Sequence, residues 1–408
     1  MADVEHIVIV GAGLAGAKAA EAAREDGYDG RLTLIGGETH FPYERPPFSK
    51  DVLIGSGVPA DARVHEDPAF YATNEIDLVL GTTVTSIDTG DQRVELGGKR
   101  MLGFDRLVLA TGSQARPLQV DGVDEVEAHY LRTLDDSLLI REALRPGRRL
   151  IMVGASWIGT EVAAAARQRG ADVLLVDPLS VPLERVLGPE VGAYFRDLHA
   201  DHGVDVRTGT GVERFEPQGD GGVRVHVEGG GAEEGDLLVI GIGAEPVIDV
   251  AADAGLDVGR GVHVDAQLRT SHPAIWAAGD IADHDHPSTA GRVRVEHWAN
   301  ALNQGTTAGR NAAGRSEAYE RLPYFFSDQY DTGLEYSGWP EEWDRVVFRG
   351  SPSDGEFMAF YMRDGMIRAG INVNVWDVNE AVQDLVRSER QVDLERLADP
   401  DVDLADLA

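Results

Sequence analysis

The chain has 408 residues, a formal net charge of −33 and no cysteine. That length suits two or three domains, and the acidity argues against nucleic acid or anionic membrane surfaces as partners. Without cysteine there is no redox-active disulfide, no thiolate zinc site and no cysteine-held iron–sulfur cluster. No apolar run approaches the roughly 18 residues of a membrane span. The first strand begins almost at Met1, which leaves no room for a signal peptide, and a cytoplasmic protein is expected.

The apolar run Ile7–Val10 leads into Gly11-Ala12-Gly13-Leu14-Ala15-Gly16 and an alanine-rich segment. A second apolar run, Leu32–Ile35, then leads to Glu38. This is the strand–turn–helix–strand unit that binds the ADP half of a dinucleotide: glycines for the tight turn, a helix N-terminus for the pyrophosphate, an acid for a ribose hydroxyl. The pattern returns at Leu150–Val153, Gly154-Ala155-Ser156-Trp157-Ile158-Gly159, Val173–Val176 and Asp177. Two such units point to two dinucleotides bound at once, most simply FAD and NAD(P)H exchanging a hydride. With no cysteine available, electrons must leave a flavin directly.

Between and after these units lie further strand and turn signals. Phe104–Ala110 reads as a strand ending in the tight turn Thr111-Gly112, with a crossover near Arg116-Pro117. Leu237–Ile240 is a strand with a glycine-rich exit at Gly241-Ile242-Gly243. The segment 219–235 reads as an exposed hairpin, and Ala299–Asn311 as a helix returning to the first domain. Beyond Pro323 the texture changes to aromatics and alternating strands, as expected of a small α+β domain. The boundaries read are 1–112 for the first part of the FAD-binding domain, 113–245 for an inserted NAD-binding domain, 246–322 for the second FAD part and 323–408 for the C-terminal domain.

These features resemble the FAD-dependent NADH:ferredoxin reductases that serve bacterial cytochromes P450 and Rieske-type dioxygenases, of the putidaredoxin reductase and biphenyl dioxygenase ferredoxin reductase type. The resemblance runs nearly end to end. It is carried by Gly11–Gly16, Tyr43-Glu44-Arg45-Pro46-Pro47-Phe48-Ser49-Lys50, Ala110-Thr111-Gly112, Gly154–Glu161, Gly241–Gly243, Thr270 through Ala277-Ala278-Gly279-Asp280, and Ser327-Asp328-Gln329-Tyr330. It implies an α/β fold with two Rossmann-like dinucleotide-binding domains, glutathione-reductase-like, plus the C-terminal α+β domain. It implies electron transfer from NADH through FAD to a small iron–sulfur ferredoxin. Related chemistries on the same fold are a rubredoxin or monodehydroascorbate reductase and an NADH oxidase. A rival of another class is an NADH-responsive flavoprotein interaction module.

By the same resemblance, Gly11, Gly13, Gly16 and Glu38 hold the ADP half of FAD, and Arg45 and Lys50 lie along it. Thr111 and Gly112 pack by the flavin, and Asp280 takes a ribityl hydroxyl. Glu296-His297-Trp298 starts a helix aimed at the flavin's pyrimidine end, where a helix N-terminus favours developing negative charge; Trp298 could equally be a core aromatic. Gly154, Ser156, Gly159, Asp177 and Gly243 form the NADH site, with Asp177 opposing a 2′-phosphate. Family members usually carry glycine at the position of Ser156, whose Cβ could push the pyrophosphate away or whose hydroxyl could replace a backbone donor. Trp157 either covers the flavin or packs in the core.

Lysine occurs only at 18, 50 and 99, so Lys50 is distinctive, and the resemblance pairs it with Glu161 as a catalytic couple. The stretch 291–315 carries Arg292, Arg294, Arg310 and Arg315 against Glu296 alone. Arg310 and Arg292 are the expected ferredoxin contacts, with Phe326 or Trp376 as apolar neighbours. His284-Asp285-His286 offers two histidines and an acid without a placed third ligand, and no metal site is expected.

Overall fold

A computed structural model describes residues 4–407 apart from 56, 60, 61, 63, 65, 66, 288–290 and 341, and only the backbone of 220. The chain divides into two compact units. One comprises 1–44, 60–114 and 245–324; the other comprises 45–59, 115–244 and 325–408.

In the first unit, a five-stranded parallel sheet runs in the order Ile275–Ala277, Arg106–Leu109, His6–Val10, Arg31–Ile35, Ile76–Val79. Its central strand is the run Ile7–Val10, each residue at most 5% exposed. Strands covered on both faces read as continuous apolar runs, which is why this one shows no alternation. The alanine-rich helix Leu14–Glu25 packs against the helix Trp298–Ala313. A Cβ on Gly305 would lie 2.3 Å from the Ala15 carbonyl oxygen, and one on Gly309 2.1 Å from that of Ala19. Glycine at this four-residue spacing is what lets the two backbones touch.

The second unit repeats the architecture. Its parallel sheet runs Asp205–Thr208, Asp172–Asp177, Arg149–Val153, Leu237–Ile240, Ala128–Tyr130, with the helix Trp157–Gln168 opening after the central strand. Strands Val212–Pro217, Val223–Val227 and Ala232–Gly235 form an antiparallel meander. The C-terminal sheet is antiparallel, in the order Tyr324–Gln329, Thr332–Gly338, Met366–Val373, Glu356–Arg363, Arg345–Ser351.

The compact units group the chain differently from the boundaries read in the sequence. The C-terminal segment forms its own antiparallel sheet, as expected, and residues 325–408 fall in the same unit as the second nucleotide sheet. Leu187, Val191 and Phe195 of the helix Glu184–Asp201 share one core with Phe325, Tyr336, Phe357 and Tyr361. Residues 45–59 fall in the expected first FAD part, yet they also belong to this second unit. The Ser137 hydroxyl donates to the Phe48 carbonyl at 2.7 Å, and Lys50 pairs with Glu161. Such long-range contacts outweigh neighbourhood along the chain.

Candidate functional site

Both fingerprint turns are built the same way. The Gly11 N–H donates to the Ile35 carbonyl at 2.8 Å, and the Gly154 N–H to the Val176 carbonyl at 2.8 Å. Gly11 (φ +112°) and Gly154 (φ +101°) occupy backbone conformations that L side chains rarely adopt. A Cβ on Gly16 would fall 1.8 Å from the Gly11 oxygen, and one on Gly159 1.9 Å from the Gly154 oxygen. These glycines are therefore required by packing between turn, strand and helix.

Gly13 differs. It is the N-cap of the helix Leu14–Glu25, and a Cβ there would meet nothing within 4 Å. The fold itself has no need of glycine at this position, and the open backbone leaves room for a ligand. The first cradle thus fits a dinucleotide pyrophosphate at a helix N-terminus. Nearby in this unit, Glu38 accepts the Tyr43 hydroxyl. Asp280, 8% exposed, lies in the turn Gly279–Ile281. His297 is the N-cap of the helix beginning at Trp298, and burial pushes its imidazole down to about 4. Trp298 packs with Leu14, Ala17 and Val64. The Thr111 hydroxyl donates to the Val247 carbonyl at 2.6 Å, and the Gly112 carbonyl accepts the Val247 N–H at 2.8 Å.

One residue that sequence reasoning missed, Gln304, and one read only as part of the basic stretch, Arg294, shape this region. Gln304, fully buried, accepts the Gly279 N–H through its side-chain oxygen at 2.9 Å. Arg294 reaches the Asp280 carbonyl at 3.0 Å and Glu296 at 2.5 Å. A lone glutamine in a helix carries no pattern that singles it out.

In the second cradle, the Ser156 hydroxyl donates to the Gly241 carbonyl at 2.8 Å. It ties the turn to the exit of the neighbouring strand, so its proton is committed within the protein. Asp177 accepts the Ala155 N–H at 2.7 Å and the Leu179 N–H at 2.8 Å. Gly243 (φ +115°) has open space where a Cβ would stand, and its carbonyl accepts the Arg116 N–H at 3.0 Å. The Trp157 ring sits edge-on to Phe325 (centroids 4.7 Å apart) and Phe195 (6.3 Å). Those contacts support the packing role for Trp157.

Lys50 and Glu161 meet at 3.1 Å, with their side chains 12% and 6% exposed. Glu161 also accepts the hydroxyls of Ser49 and of Ser327, the latter at 2.7 Å. The Lys50 ammonium lies 5.2 Å from the Phe326 ring centroid, within cation–π range. Arg45 donates to the Arg132 carbonyl.

The arginines of the stretch 291–315 hold partners within the protein. Arg310 pairs with Glu317 at 3.3 Å and Arg315 with Asp26 at 2.6 Å. One Arg292 nitrogen donates to the carbonyls of Val264 and Asp283. The expected docking residues thus hold partners within the protein: Arg310 a carboxylate seven residues on, and Arg292 backbone carbonyls. Trp376, 55% exposed, presents an apolar surface. Among the described residues no group of three or more His, Asp or Glu could hold a metal, and no helix is long and apolar enough to cross a membrane.

Residues 5–305 match the pyridine nucleotide-disulphide oxidoreductase family, and 324–408 match the reductase C-terminal domain. The ferredoxin–NAD(+) reductase component of the anthranilate 1,2-dioxygenase system of Burkholderia cepacia is 40% identical, over 98% of each chain. Putidaredoxin reductase of Pseudomonas putida is 39% identical, over 91% of this chain and 89% of that one. The reductase in a covalent putidaredoxin reductase–putidaredoxin complex superimposes with a TM-score of 0.93 at 38% identity, covering 98% of this chain and 97% of that one. With its two fingerprint cradles and its C-terminal sheet, the chain belongs to the pyridine nucleotide-disulphide oxidoreductase family, among the ferredoxin–NAD(+) reductases.

Proposed function

We propose that this protein oxidises NADH through bound FAD and reduces a small iron–sulfur ferredoxin that feeds a cytochrome P450 or Rieske-type oxygenase. Each NADH supplies two electrons, so two ferredoxins are reduced and one proton is released. The observation that carries this reading is the duplicated cradle in a chain without cysteine. Two dinucleotides are held, and no disulfide stands between flavin and acceptor.

FAD, when bound, supplies the chemistry that joins a two-electron donor to a one-electron acceptor. The protein's part is to hold and orient. Gly11, Gly13, Gly16 and Glu38 would hold the ADP half of FAD, Asp280 its ribityl chain, and the start of the Trp298–Ala313 helix the pyrimidine end. Thr111 and Gly112 would pack beside the ring, with Arg45 along the cofactor. Gly154, Ser156, Gly159, Gly243 and Asp177 would hold NADH. Lys50, fixed by Glu161, would place a compact positive charge where negative charge develops during hydride transfer.

The test is NADH-driven reduction of a panel of two-iron ferredoxins, followed by absorbance, with NADPH run in parallel. Reduction of at least one ferredoxin, with NADH preferred, is expected. Reduction of ferricyanide but of no ferredoxin would overturn the assignment of the acceptor.

A further inference from the structure

Lys50 and Glu161 are the visible end of a longer line of side chains, all within the second unit. Each bond in that line has a direction that chemistry fixes. The Thr160 hydroxyl lies 3.1 and 3.0 Å from the carbonyl oxygens of Ser156 and Trp157, which can only accept. Its oxygen is therefore an acceptor toward Gln329, 3.0 Å away. That sets the Gln329 amide with its nitrogen toward Thr160 and toward Ser327, at 3.2 Å.

The amide oxygen then faces His199 Nε2 at 2.9 Å, so Nε2 carries the proton. Nδ1 is left as an acceptor, and the Tyr330 hydroxyl stands 3.1 Å from it. Burial pushes the His199 imidazole down to about 4, so the ring is neutral at physiological pH. At the other end the Ser327 hydroxyl, accepting from Gln329, donates to the same Glu161 oxygen that Lys50 contacts. The donors run one way: Tyr330, His199, Gln329, Ser327, Glu161. The members between the ends, and Thr160 beside them, are buried: Thr160 and His199 are 0% exposed, Gln329 1% and Ser327 2%.

An apolar core would be satisfied by leucine at these sites, and buried polar lines persist at a desolvation cost. We infer that Gln329, its amide held between Thr160 and His199, is a positioning residue that acts through Ser327 to fix the Glu161 carboxylate, and so Lys50, for hydride transfer. This rests on the role given to Lys50 above. His199 comes from the helix Glu184–Asp201 and Gln329 from the C-terminal sheet.

The experiment uses flavin-loaded enzyme, with stopped-flow rates of flavin reduction at saturating NADH normalised to bound flavin. Gln329→Leu should slow reduction about three- to tenfold with little change in NADH dissociation constant, as expected for one lost buried bond in a charged network. Lys50→Met should be slow alone, and adding Gln329→Leu to it should cost nothing more. His199→Phe should resemble Gln329→Leu, and His199→Gln, which keeps a donor at the Nε2 position, should restore the rate. Nitrogen-15 NMR of the imidazoles should show His199 protonated at Nε2 in the parent and in Lys50→Met.

Lys50→Met at parental speed would overturn the role of Lys50, and this inference with it. Slow Lys50→Met with Gln329→Leu at full speed, or with the two losses multiplying, would overturn the positioning line alone. Protonation of His199 at Nδ1 would do the same. Should Gln329→Leu fail to fold, Ser327→Ala, a smaller change at the next link, must show the same absence of added loss.

Discussion

The Asp177 carboxylate accepts the backbone N–H of Ala155 at 2.7 Å. The acid at the end of the second strand thereby pins the fingerprint turn, while its other oxygen holds the Leu179 N–H at 2.8 Å. Its geometry shapes the turn, and in the proposed NADH site its charge would oppose a 2′-phosphate. Asp177→Ala should therefore do two things. It should lower stability by about 1–3 kcal/mol through unmatched buried N–H groups, seen as a lower urea midpoint. Combined with Pro178→Arg, it should narrow the NADH-over-NADPH ratio of kcat/KM. A parental preference for NADPH, or full stability in Asp177→Ala, would defeat this account.

Ser156 stands where the first cradle has Gly13. Its hydroxyl proton goes to Gly241, so it braces the turn and is not a donor held ready for the pyrophosphate. Ser156→Ala and Ser156→Gly should then lose the same brace, about 0.5–1.5 kcal/mol of stability, with a modest and similar weakening of NADH binding. Calorimetric titration of NADH separates the cases. Tighter binding by Ser156→Gly than by the parent would show instead that the Cβ obstructs the nucleotide.

The first cradle separates packing glycines from one that the fold does not require. Gly16→Ala drives a methyl into the Gly11 carbonyl and should yield little folded protein. Gly13→Ala meets open space, so the apoprotein should fold with parental stability. Its FAD dissociation constant should rise at least about tenfold, because the methyl takes room the pyrophosphate needs. Fluorescence recovery on FAD titration of the apoprotein measures this. Parental FAD affinity in Gly13→Ala would remove Gly13 from the site.

Much of this was legible because it is local. The spacing of Gly11, Gly13 and Gly16, and the apolar run before it, define a turn whose energetics are decided within a few residues. The helix expected over Ala299–Asn311 forms as Trp298–Ala313. What stayed hidden depends on partners far away in sequence. Arg292 reads as a surface charge until Val264 and Asp283 supply carbonyls for it. Residues 45–59 read as part of the first domain until Ser137 and Glu161 claim them. His199 is one polar residue in an amphipathic helix, and only the facing sheet makes it a link in a line. Spacing encodes backbone geometry well, and it carries little information about which buried donor meets which acceptor.

The buried histidines should make stability fall as the pH drops below neutrality. Burial pushes His199, His284 and His297 each down to about 4. His284 feels His286 and Arg292 as further opposing charges, with Asp285 acting the other way. An unfolded histidine titrates near 6.5, so below that pH the unfolded chain takes up protons that the folded chain refuses. Stability from these groups is complete above about 6.5 and declines as pH falls toward about 4, by up to about 1.4 kcal/mol per pH unit for each ring. Carboxylates join in below about pH 5, so the diagnostic window is about 5 to 6.5. Urea unfolding across that window should show a falling midpoint at constant slope of free energy against urea. His199→Gln, which cannot be protonated, should reduce the pH dependence by about one proton. A midpoint that does not move between pH 6.5 and 5 would mean that these rings are protonated in the folded state.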